Sequence, residues 1–465
     1  MKGASPLLPY TDSRAAEQSY MKLTRTILKG YRIRGFLLVM VLVSSLFLSA
    51  CQPDEPETVI KPADYGRYGS NLALKLARDY PLRSAGSTQE KRAGDWIIKM
   101  FEEEDFEPDV STFYFQDDEG NTRSSRNISI RIPGQGFTLT DDQGKTQSFR
   151  RNVIIGAHYD TFFSEEDLNA YLESLEAVET DSAEPTPTSS PDILEEPTLA
   201  DYDGIHDNAS GIGALLLIAR ELKQEVFGYD VTLVAFGAGE SGQAGARAYA
   251  KKMSRSDIEA TDAMYCIDSI YAGDKMYAHA GQNSIRSYYR KDYEKRRKLY
   301  EVTDVFYEHE LYTNNEYMLY TNQSSFDVYF GNLSSSVLYR EWTLTESDYL
   351  PFDELDIPIV FFESYDYDGS SIESLKESKN PAFASTTGAI RHTVYDTTGF
   401  IGQVMNLKRS SIEQDEKSGV DNRVDHLTKR INNTSFIIIE AIKKGVHNAE
   451  MQNQALQTSE QTTTG

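Results

Sequence analysis

The sequence predicts an α/β fold, in which a mixed, largely parallel sheet is flanked by helices. Two observations carry this prediction. Apolar runs of strand length alternate with stretches of helical periodicity in the second half of the chain, a pattern typical of parallel strands joined by helices. Polar residues of types that bind ligands follow several of these runs, as expected at the carboxyl edge of an open α/β sheet.

Residue periodicity predicts the elements in order. Before residue 160 they are the helices Tyr68–Tyr80 and Gln89–Glu104 and the strands Phe113–Phe115, Asn127–Ile132 and Asn152–Ile155. After residue 200 they are a helix from Ile212 to about Lys223, the strand Val231–Phe236, a helix near Ala244–Lys252, the strands Ala263–Ile267 and Ile357–Phe362, and the closing helix Val424–Lys444. A charged stretch of helical pattern, Tyr288–Asn315, is predicted to form a cap over the sheet together with its surroundings, residues 282–345.

Length and composition limit the possible functions. At 465 residues, with 39% hydrophobic and 11% aromatic residues, the chain can bury a large core and is predicted to be folded. Its formal net charge of -25 is unfavourable for binding nucleic acid, whose phosphates require a basic partner surface. The composition therefore predicts no nucleic-acid partner.

The N-terminus has the pattern of a secretory signal peptide, assigned to residues 1–50. A basic region precedes the apolar run Phe36–Leu48, which is short for a membrane-spanning helix. The sequence Leu48-Ser49-Ala50-Cys51 then resembles the lipobox of bacterial lipoproteins. This resemblance implies that Cys51 carries a lipid, that residues 51–62 form a tether, and that the protein is lipid-anchored at the extracellular face of the bacterial cell membrane. An ordinary N-terminal anchor helix is the alternative.

Two segments of biased composition belong to or follow the predicted domain, residues 63–445. Residues 164–200 contain eleven acidic residues, four prolines and no Lys or Arg, and are predicted to be a solvated acidic insertion. A tolerated surface loop is the preferred interpretation of this insertion, over a calcium-binding or substrate-repelling role. Residues 446–465 are polar without periodicity and are predicted to be a disordered tail.

Five residues are candidate metal ligands: His158, Asp207, Glu240, Asp268 and His392. The first four follow an apolar strand or precede the helix after one, so they should meet at the carboxyl edge of the sheet. Imidazole and carboxylate together suit zinc, manganese or cobalt. If one carboxylate is shared, five ligands can hold two metal ions and leave open positions for a water. Taken singly, each residue is more often a buried histidine or a helix cap than a ligand.

The sequence around these residues resembles that of the co-catalytic zinc aminopeptidases. Their superfamily also holds aminopeptidase Y, glutamate carboxypeptidase, glutaminyl cyclase and the transferrin receptor ectodomain. The similar segments, in the right order, are Gly156-Ala157-His158-Tyr159-Asp160, Asp207-Asn208-Ala209-Ser210-Gly211, residues 236–245, Ser347-Asp348-Tyr349-Leu350-Pro351-Phe352 and residues 391–397. The resemblance runs from about Asn71 to Glu440 and implies a zinc exopeptidase-like fold with two zinc ions and peptide substrates.

The resemblance also implies how the ligands divide. His158 and Asp268 would bind one metal, Glu240 and His392 the other, and Asp207 would bridge the two.

Two further features follow from the same likeness. Asp160 matches the carboxylate that orients the first histidine. The peptide bond between Asp207 and Asn208 is expected to be cis, as it is in this family.

One position departs from the family pattern. The family has two adjacent glutamates, of which the first is the general base and the second a metal ligand. Alignment on Phe236, Gly242 and Gly245 puts Gly239 at the position of the base and Glu240 at that of the ligand. Loss of a positioned base typically costs about 10²–10⁴ in rate. Replacing Gly239 by Glu is therefore expected to raise hydrolysis.

Three functions remain open from the sequence. The preferred one is a lipid-anchored exopeptidase of the aminopeptidase type, in which another acid replaces the missing base or metal hydroxide acts unaided. Glu341, Glu346 and Asp348 lie in the region of the cap and of the Asp348 motif, and the sequence does not select among them. The alternative is a catalytically impaired pseudo-peptidase that binds metal and captures peptides. A glutaminyl cyclase is a weaker candidate, because that branch of the superfamily uses one zinc ion and this chain keeps ligands for two.

Overall fold

A computed structural model of the chain describes residues 65–117, 119–140, 143–163, 169, 196–287, 290–313, 317–321, 325–330, 335–340, 345–369, 374–412 and 425–446. All of them belong to one compact unit, Lys61–Gly465. The predicted signal peptide, Cys51, the tether, most of the acidic insertion and nearly all of the predicted tail lie outside the described residues.

Strands and helices alternate as the sequence predicts. The strands in the described residues are β1 (Asp109–Gln116), β2 (Thr122–Ile132), β3 (Phe137–Thr140), β4 (Thr146–Phe149), β5 (Asn152–His158), β6 (Asp230–Phe236), β7 (Thr261–Ile267), β8 (Lys275–Ala280), β9 (Ile285–Ser287), β10 (Arg290–Lys291), β11 (Leu319–Thr321), β12 (Ser325–Phe330), β13 (Ser335–Arg340) and β14 (Ile359–Tyr365). The α-helices are α1 (Tyr68–Asp79), α2 (Thr88–Glu103), α3 (Ser210–Leu222), α4 (Ala244–Ala250), α5 (Arg255–Ala260), α6 (Arg297–Glu308), α7 (Leu350–Glu354), α8 (Thr398–Ile412) and α9 (His426–Lys443). No helix in this part of the chain is both long and apolar enough to cross a membrane.

Eight of the strands form one mixed sheet in the order β1-β2-β6-β5-β7-β14-β8-β11. The four central strands, β6, β5, β7 and β14, are mutually parallel, whereas β2 and β8 pair antiparallel with the two outer members of that group. The predicted α/β class with a mixed sheet is therefore confirmed. Because the four central strands run in one direction, the residues that follow them emerge at the same edge of the sheet.

Helix α3 is the buried centre of one face of the sheet. It packs against α1 and α9, and almost all of its side chains are buried. The helices α1 and α3 approach closely at two glycines, since a Cβ at Gly69 would lie 2.9 Å from the carbonyl oxygen of Gly213. A larger residue at either position would push the helices apart. This packing fixes the turn Ile205–Ala209, which precedes α3 and carries one of the candidate ligands.

Side-chain caps explain where two of the predicted helices begin. At the start of α2, the backbone N–H of Glu90 donates to Ser87 Oγ at 3.0 Å, and at the start of α9 the N–H of Thr428 donates to Asp425 Oδ1 at 2.9 Å. Both acceptors are residues that favour the N-cap position. The predicted helices at these places are confirmed to within two residues.

Part of the predicted cap region belongs to the sheet and its flanking layer. Helix α6 packs against β8, β14 and α9, and it buries Leu299, Val302 and Phe306 in the main core. Strand β11 pairs in parallel with β8 and extends the sheet by one strand. The amphipathic pattern of this stretch thus reflects packing on the sheet as well as any covering of the site.

Candidate metal centre

The five candidate ligands come from five separate segments. His158 is the last residue of β5, Asp268 directly follows β7, and Glu240 lies four residues beyond the end of β6. Asp207 lies in the turn before α3, and His392 in the loop before α8. The structure brings all five together at the carboxyl edge of the central strands, as the order of motifs predicts.

Asp207 lies between two groups of ligands. Its Oδ1 is 3.2 Å from His158 Nε2, and that nitrogen is 3.5 Å from Asp268 Oδ1. Its Oδ2 is 3.3 Å from His392 Nε2, and that nitrogen is 3.0 Å from Glu240 Oε2. Within each group of three, the ligand atoms lie within 4.8 Å of one another. The grouping matches the division of ligands that the resemblance implies, with Asp207 common to both.

The arrangement fits a pair of zinc ions. Asp207 Oδ1 is buried and makes no hydrogen bond to the described residues, although it lies close to His158. A buried carboxylate oxygen is costly unless a cation lies beside it, which here is either the protonated imidazole of His158 at 3.2 Å or a metal ion that replaces the proton. Two imidazoles and three carboxylates are ligands that zinc accepts, and one shared carboxylate is the arrangement of two-metal sites.

Opposite charges hold these side chains together. Burial alone would lower the pKa of His392, but its hydrogen bonds to Asp207 and Glu240 outweigh burial and raise it to about 11. Burial would also lower the pKa of His158, yet the neighbouring carboxylates, Asp268 first among them, raise it well above its usual value. Burial and then the charge of Asp207 raise the pKa of Glu240 to about 7. A metal ion that binds here must therefore displace protons from both imidazoles.

The backbone around Glu240 is held by two buried carboxylates. Asp160 accepts hydrogen bonds from the N–H of Gly239 at 2.7 Å and of Glu240 at 3.1 Å, and Glu90 accepts one from the N–H of Ala238 at 2.9 Å. Asp160 also faces the first histidine, because His158 Nδ1 lies 3.2 Å from its carbonyl oxygen and 3.5 Å from its Oδ1. Asp160 thus contacts a ligand of each metal group. The sequence pattern around Glu90 did not point to its role, which depends on a contact between α2 and the loop after β6.

The loop that carries Asp207 is held from both sides. Asp396 accepts hydrogen bonds from the N–H groups of His206 and Asp207, at 2.7 and 2.9 Å. The peptide bond between Asp207 and Asn208 is cis, as the resemblance implies, and Asn208 Nδ2 donates to the carbonyl oxygen of Ile267 at 2.9 Å. Asp396 lies within a motif that the sequence already marked, so its acidic side chain was the available signal.

Arg83 is a positioning residue that sequence analysis did not identify. Its buried guanidinium donates to the carbonyl oxygens of Tyr159, Asp203 and Gly204, at 2.7, 2.7 and 2.8 Å. It therefore ties the chain that follows His158 to the chain that precedes Asp207. The only sequence signal was an arginine in the short segment between the two predicted helices Tyr68–Tyr80 and Gln89–Glu104.

Comparison with known proteins agrees with this geometry. The family model described as "Peptidase family M28" matches residues 140–405, which is more than half of the chain and includes all five candidate ligands. The chain belongs to peptidase family M28. Membership supports a metal-dependent, peptidase-like function. Peptidases of this family use zinc, and the two groups of candidate ligands are of types that zinc accepts.

Among curated proteins, this M28 member is similar to the alkaline phosphatase isozyme conversion protein of Escherichia coli strain K12. The two are 28% identical over 227 residues, which cover 48% of this chain and 55% of the relative. The chain thus spans about half the length of the curated relative that it matches.

Three solved structures are similar to this M28 member at low sequence identity. A zinc aminopeptidase from Bacillus subtilis has a TM-score of 0.47 at 13% identity, covering 83% of this chain and 97% of that one. A Zn-dependent exopeptidase from Parabacteroides distasonis has 0.46 at 15%, covering 82% and 99%. The glutaminyl cyclase of Bacteroides thetaiotaomicron has 0.48 at 12%, covering 83% and 100%.

Gly239 of this M28 member is closely packed. A Cβ at this residue would lie 2.4 Å from the Cβ of His158 and 2.7 Å from its Cγ. Atoms that close overlap, so any side chain at residue 239 would displace the imidazole that serves as a candidate ligand. The expectation that Gly239→Glu would raise hydrolysis is therefore not supported by this geometry, because the added side chain would disturb the site that it is meant to complete.

Two acidic residues other than the candidate ligands line the metal cavity, which has a volume of about 210 Å³. Glu346 is exposed, whereas Asp348 is buried and neither of its carboxylate oxygens has a hydrogen-bond partner among the described residues. Burial, followed by the charges of neighbouring carboxylates, raises the pKa of Asp348 to about 8. The third acidic residue that the sequence suggested, Glu341, lies outside the described residues.

Proposed function

We propose that this protein is a zinc-dependent exopeptidase of the aminopeptidase type, which hydrolyses peptides at a two-metal site. The observation that carries the proposal is the sharing of Asp207 between two groups of ligands, and no hydrogen bond within the described part of the chain engages its Oδ1. The lipobox-like sequence at Cys51 supports a location at the extracellular face of the bacterial cell membrane, with membrane contact through the lipid anchor only.

In the proposed site, His158 and Asp268 hold one zinc ion, Glu240 and His392 hold the other, and Asp207 joins them. Zinc bound there would polarise the scissile carbonyl group and lower the pKa of water. The carboxylate of Asp160 keeps Glu240 in place through the backbone N–H groups that it accepts.

Asp348 is proposed to be the general base in place of the usual glutamate. A catalytic base works best when its pKa is near the working pH, and a desolvated carboxyl group in a cleft is a typical candidate. Asp348 meets both conditions, since its pKa is raised to about 8 and its oxygens have no other partner among the described residues. It would take a proton from the attacking water and return it to the leaving amine. Glu346, exposed in the same cavity, would attract the free amine of the peptide.

The test is to count zinc and measure turnover on one sample. The full chain is purified in detergent and loaded with zinc, its metal content is measured, and the release of free amino acids from a mixed peptide library is followed. Two zinc ions per chain with release from the N-terminus would support the proposal. Fewer than two ions, or release of internal fragments, would contradict it.

A second candidate is a pseudo-peptidase that binds peptides without cleaving them. The close packing of Gly239 against His158 favours it, because the family's usual base has no room in this site. Two zinc ions without any turnover, together with measurable peptide binding, would identify this second function.

A further inference from the structure

A second cavity adjoins the metal cavity. It has a volume of about 480 Å³, and Arg391 lines both cavities. The second cavity lies where the chain leaves β14, among residues 365–367, 375–377 and 387–391. Because the two cavities share Arg391, the second is the nearest described cavity in which a group next to a scissile bond at the metal site could lie.

The Arg391 guanidinium lines both cavities and is held by two buried carboxylates. Its Nε donates to Glu377 Oε1 at 2.9 Å, and its Nη2 lies 3.5 Å from Glu363 Oε2. The Arg391 side chain is only 14% exposed, and no hydrogen bond within the described part of the chain engages its Nη1. An arginine in this state can offer one further N–H group in a fixed direction.

Glu377 is not available to a ligand. Besides Arg391, it contacts His206 Nε2 at 3.2 Å and accepts the N–H groups of Ile390 and Arg391. Burial alone would raise its pKa, but Arg391 and His206 outweigh burial and hold the pKa at about 2. Its negative charge is thus already compensated by groups of the protein.

Lys376 supplies a second cation. No carboxylate pairs with its Nζ among the described residues, whereas the two nearby lysines, Lys275 and Lys379, both pair with Asp366. The stem of Lys376 lies against Gly388, where an added Cβ would be 2.6 Å from Lys376 Cδ. Lys376 is thus packed against Gly388 at the edge of a cavity that it also lines.

A tyrosine hydroxyl completes the polar lining. Burial raises the pKa of Tyr365 to about 12, so its hydroxyl keeps its proton at physiological pH and can donate. Five of the eleven residues that line the metal cavity are carboxylates. The second cavity has one carboxylate, the already paired Glu377, beside Arg391, Lys376 and four residues that carry hydroxyl groups.

We infer that the second cavity binds a carboxylate of the substrate, so that the preferred substrates are peptides with a negative charge next to the scissile bond. The inference rests on the proposed exopeptidase function. Two groups of a short peptide carry this chemistry: the side chain of an N-terminal Glu or Asp, and the C-terminal carboxylate of a dipeptide. Arg391 is paired with Glu377 and Glu363, so a Lys or Arg side chain of the substrate would be disfavoured mainly by the charge of Lys376.

The experiment compares substrates that differ by one charge. The zinc-loaded full chain is assayed with Glu-Ala-amide, Gln-Ala-amide and Gln-Ala with a free carboxylate. A charge-assisted contact predicts a preference in kcat/KM of about tenfold or more for one charged peptide over Gln-Ala-amide. A preference for Glu-Ala-amide identifies the side chain as the source of the carboxylate, and a preference for free Gln-Ala identifies the C-terminus.

Variants of two lysines test the assignment to this cavity. Lys376→Met should reduce the preference about fivefold, because Lys376 is partly exposed and its charge is screened. The control Lys379→Met removes a nearby lysine that pairs with Asp366 and does not line the cavity, so it should leave the preference unchanged. Lys376→Glu should favour Lys-Ala-amide relative to the unaltered protein. An equal rate for all three peptides, or equal effects of the two methionine variants, overturns the inference.

A binding measurement separates this inference from the proposed function. Calorimetry with L-glutamate and L-glutamine compares two ligands that differ only in the side-chain charge. Suppose that no peptide is cleaved, but L-glutamate binds more tightly than L-glutamine and this difference in affinity is lost in Lys376→Met. The exopeptidase proposal is then wrong and the cavity assignment stands. If peptides are cleaved without charge preference, the cavity assignment is wrong and the exopeptidase proposal stands. If no peptide is cleaved and L-glutamate and L-glutamine bind equally well, both proposals are wrong.

Discussion

The metal cavity and the second cavity share Arg391, but they are built in opposite ways. The metal cavity collects carboxylates and imidazoles from the ends of β5, β6 and β7, from the buried turn before α3 and, for His392, from the loop before α8. The second cavity uses loops beyond β14 and presents cations and a hydroxyl group. The comparison suggests that reactivity and selectivity are separated. Changes in the first cavity should then alter the turnover of every peptide, and changes in the second should alter only their ranking.

The largest effect is expected at Asp348. Asp348→Asn keeps the size of the side chain but removes the proposed proton acceptor, so kcat should fall about 10²–10⁴-fold for charged and neutral peptides alike, with zinc content unchanged. Glu346→Gln is the matched control and should retain most of kcat. If Glu346→Gln causes the large loss and Asp348→Asn does not, Glu346 is the base instead.

The stability of the same variant checks that it folds. The pKa of Asp348 in the folded protein is raised above its value in the unfolded chain, so the folded state holds the proton more tightly. Ionisation therefore destabilises the fold as pH rises from about 4 towards 8. Without zinc, Asp348→Asn should be at least as stable as the unaltered protein at about pH 8, as measured by thermal denaturation.

The next effect is the pH dependence of zinc binding. The raised pKa values of His158 and His392 mean that both imidazoles carry protons at neutral pH, and zinc accepts only the neutral form. Zinc affinity should therefore rise with pH, by about tenfold per pH unit for each proton released. Competition with a chelator between about pH 6 and 8 measures the affinity, and calorimetry in two buffers counts the protons. An affinity independent of pH would show that the imidazoles are already neutral.

A smaller effect is expected from Gly239→Ala. The added Cβ would overlap His158, and overpacking of this kind costs about 1–3 kcal/mol in stability. Zinc binding should weaken as well, because His158 is a candidate ligand. The matched control is Gly402→Ala in α8, where a Cβ meets no atom within 4 Å. Thermal denaturation with and without zinc measures the stability of both variants. If the two are equally stable, the backbone at Gly239 shifts to accommodate the added Cβ at little cost in free energy.

The smallest effect concerns salt and distinguishes the two cavities directly. Raising ionic strength from about 0.05 to 0.5 M screens exposed charges far more than buried ones. The preference for charged peptides, which depends on partly exposed Lys376, should fall about two- to threefold. The turnover of Gln-Ala-amide should change less. A preference that resists salt would place the charge recognition on buried Arg391 alone.

Local patterns were sufficient for six of the eight strands of the main sheet and for the types of candidate ligand. His158 and Asp268 could be predicted because each ends an apolar run, and the direction of a strand places the next residue at a known edge. Strand β8 was not predicted, because Lys275–Ala280 is a short stretch whose alternation is weak and whose pairing with β14 is formed across a long sequence separation. Helix α6 was predicted as a helix, but its packing on the sheet follows from the position of α9.

The roles of Glu90, Arg83 and Arg391 could not be predicted from their surroundings in the chain. Glu90 accepts a hydrogen bond from the backbone N–H of Ala238, and Arg83 donates to the carbonyl oxygens of Tyr159 and Gly204. Such contacts join residues that are far apart in sequence, and no periodicity marks them. The lipid anchor at Cys51 stays a prediction, since it lies outside the described residues.

By itself, the sequence determined the α/β class, the choice of five candidate metal ligands and the glycine at residue 239, where the family pattern has a glutamate. These properties depend on residue type and on short-range order, which a sequence contains directly. Only the tertiary structure decided the distances within the two ligand groups, that Gly239 has no room for a side chain, and that Arg391 lines two cavities. Those properties are distances between segments, and the packing of helices on the sheet sets them.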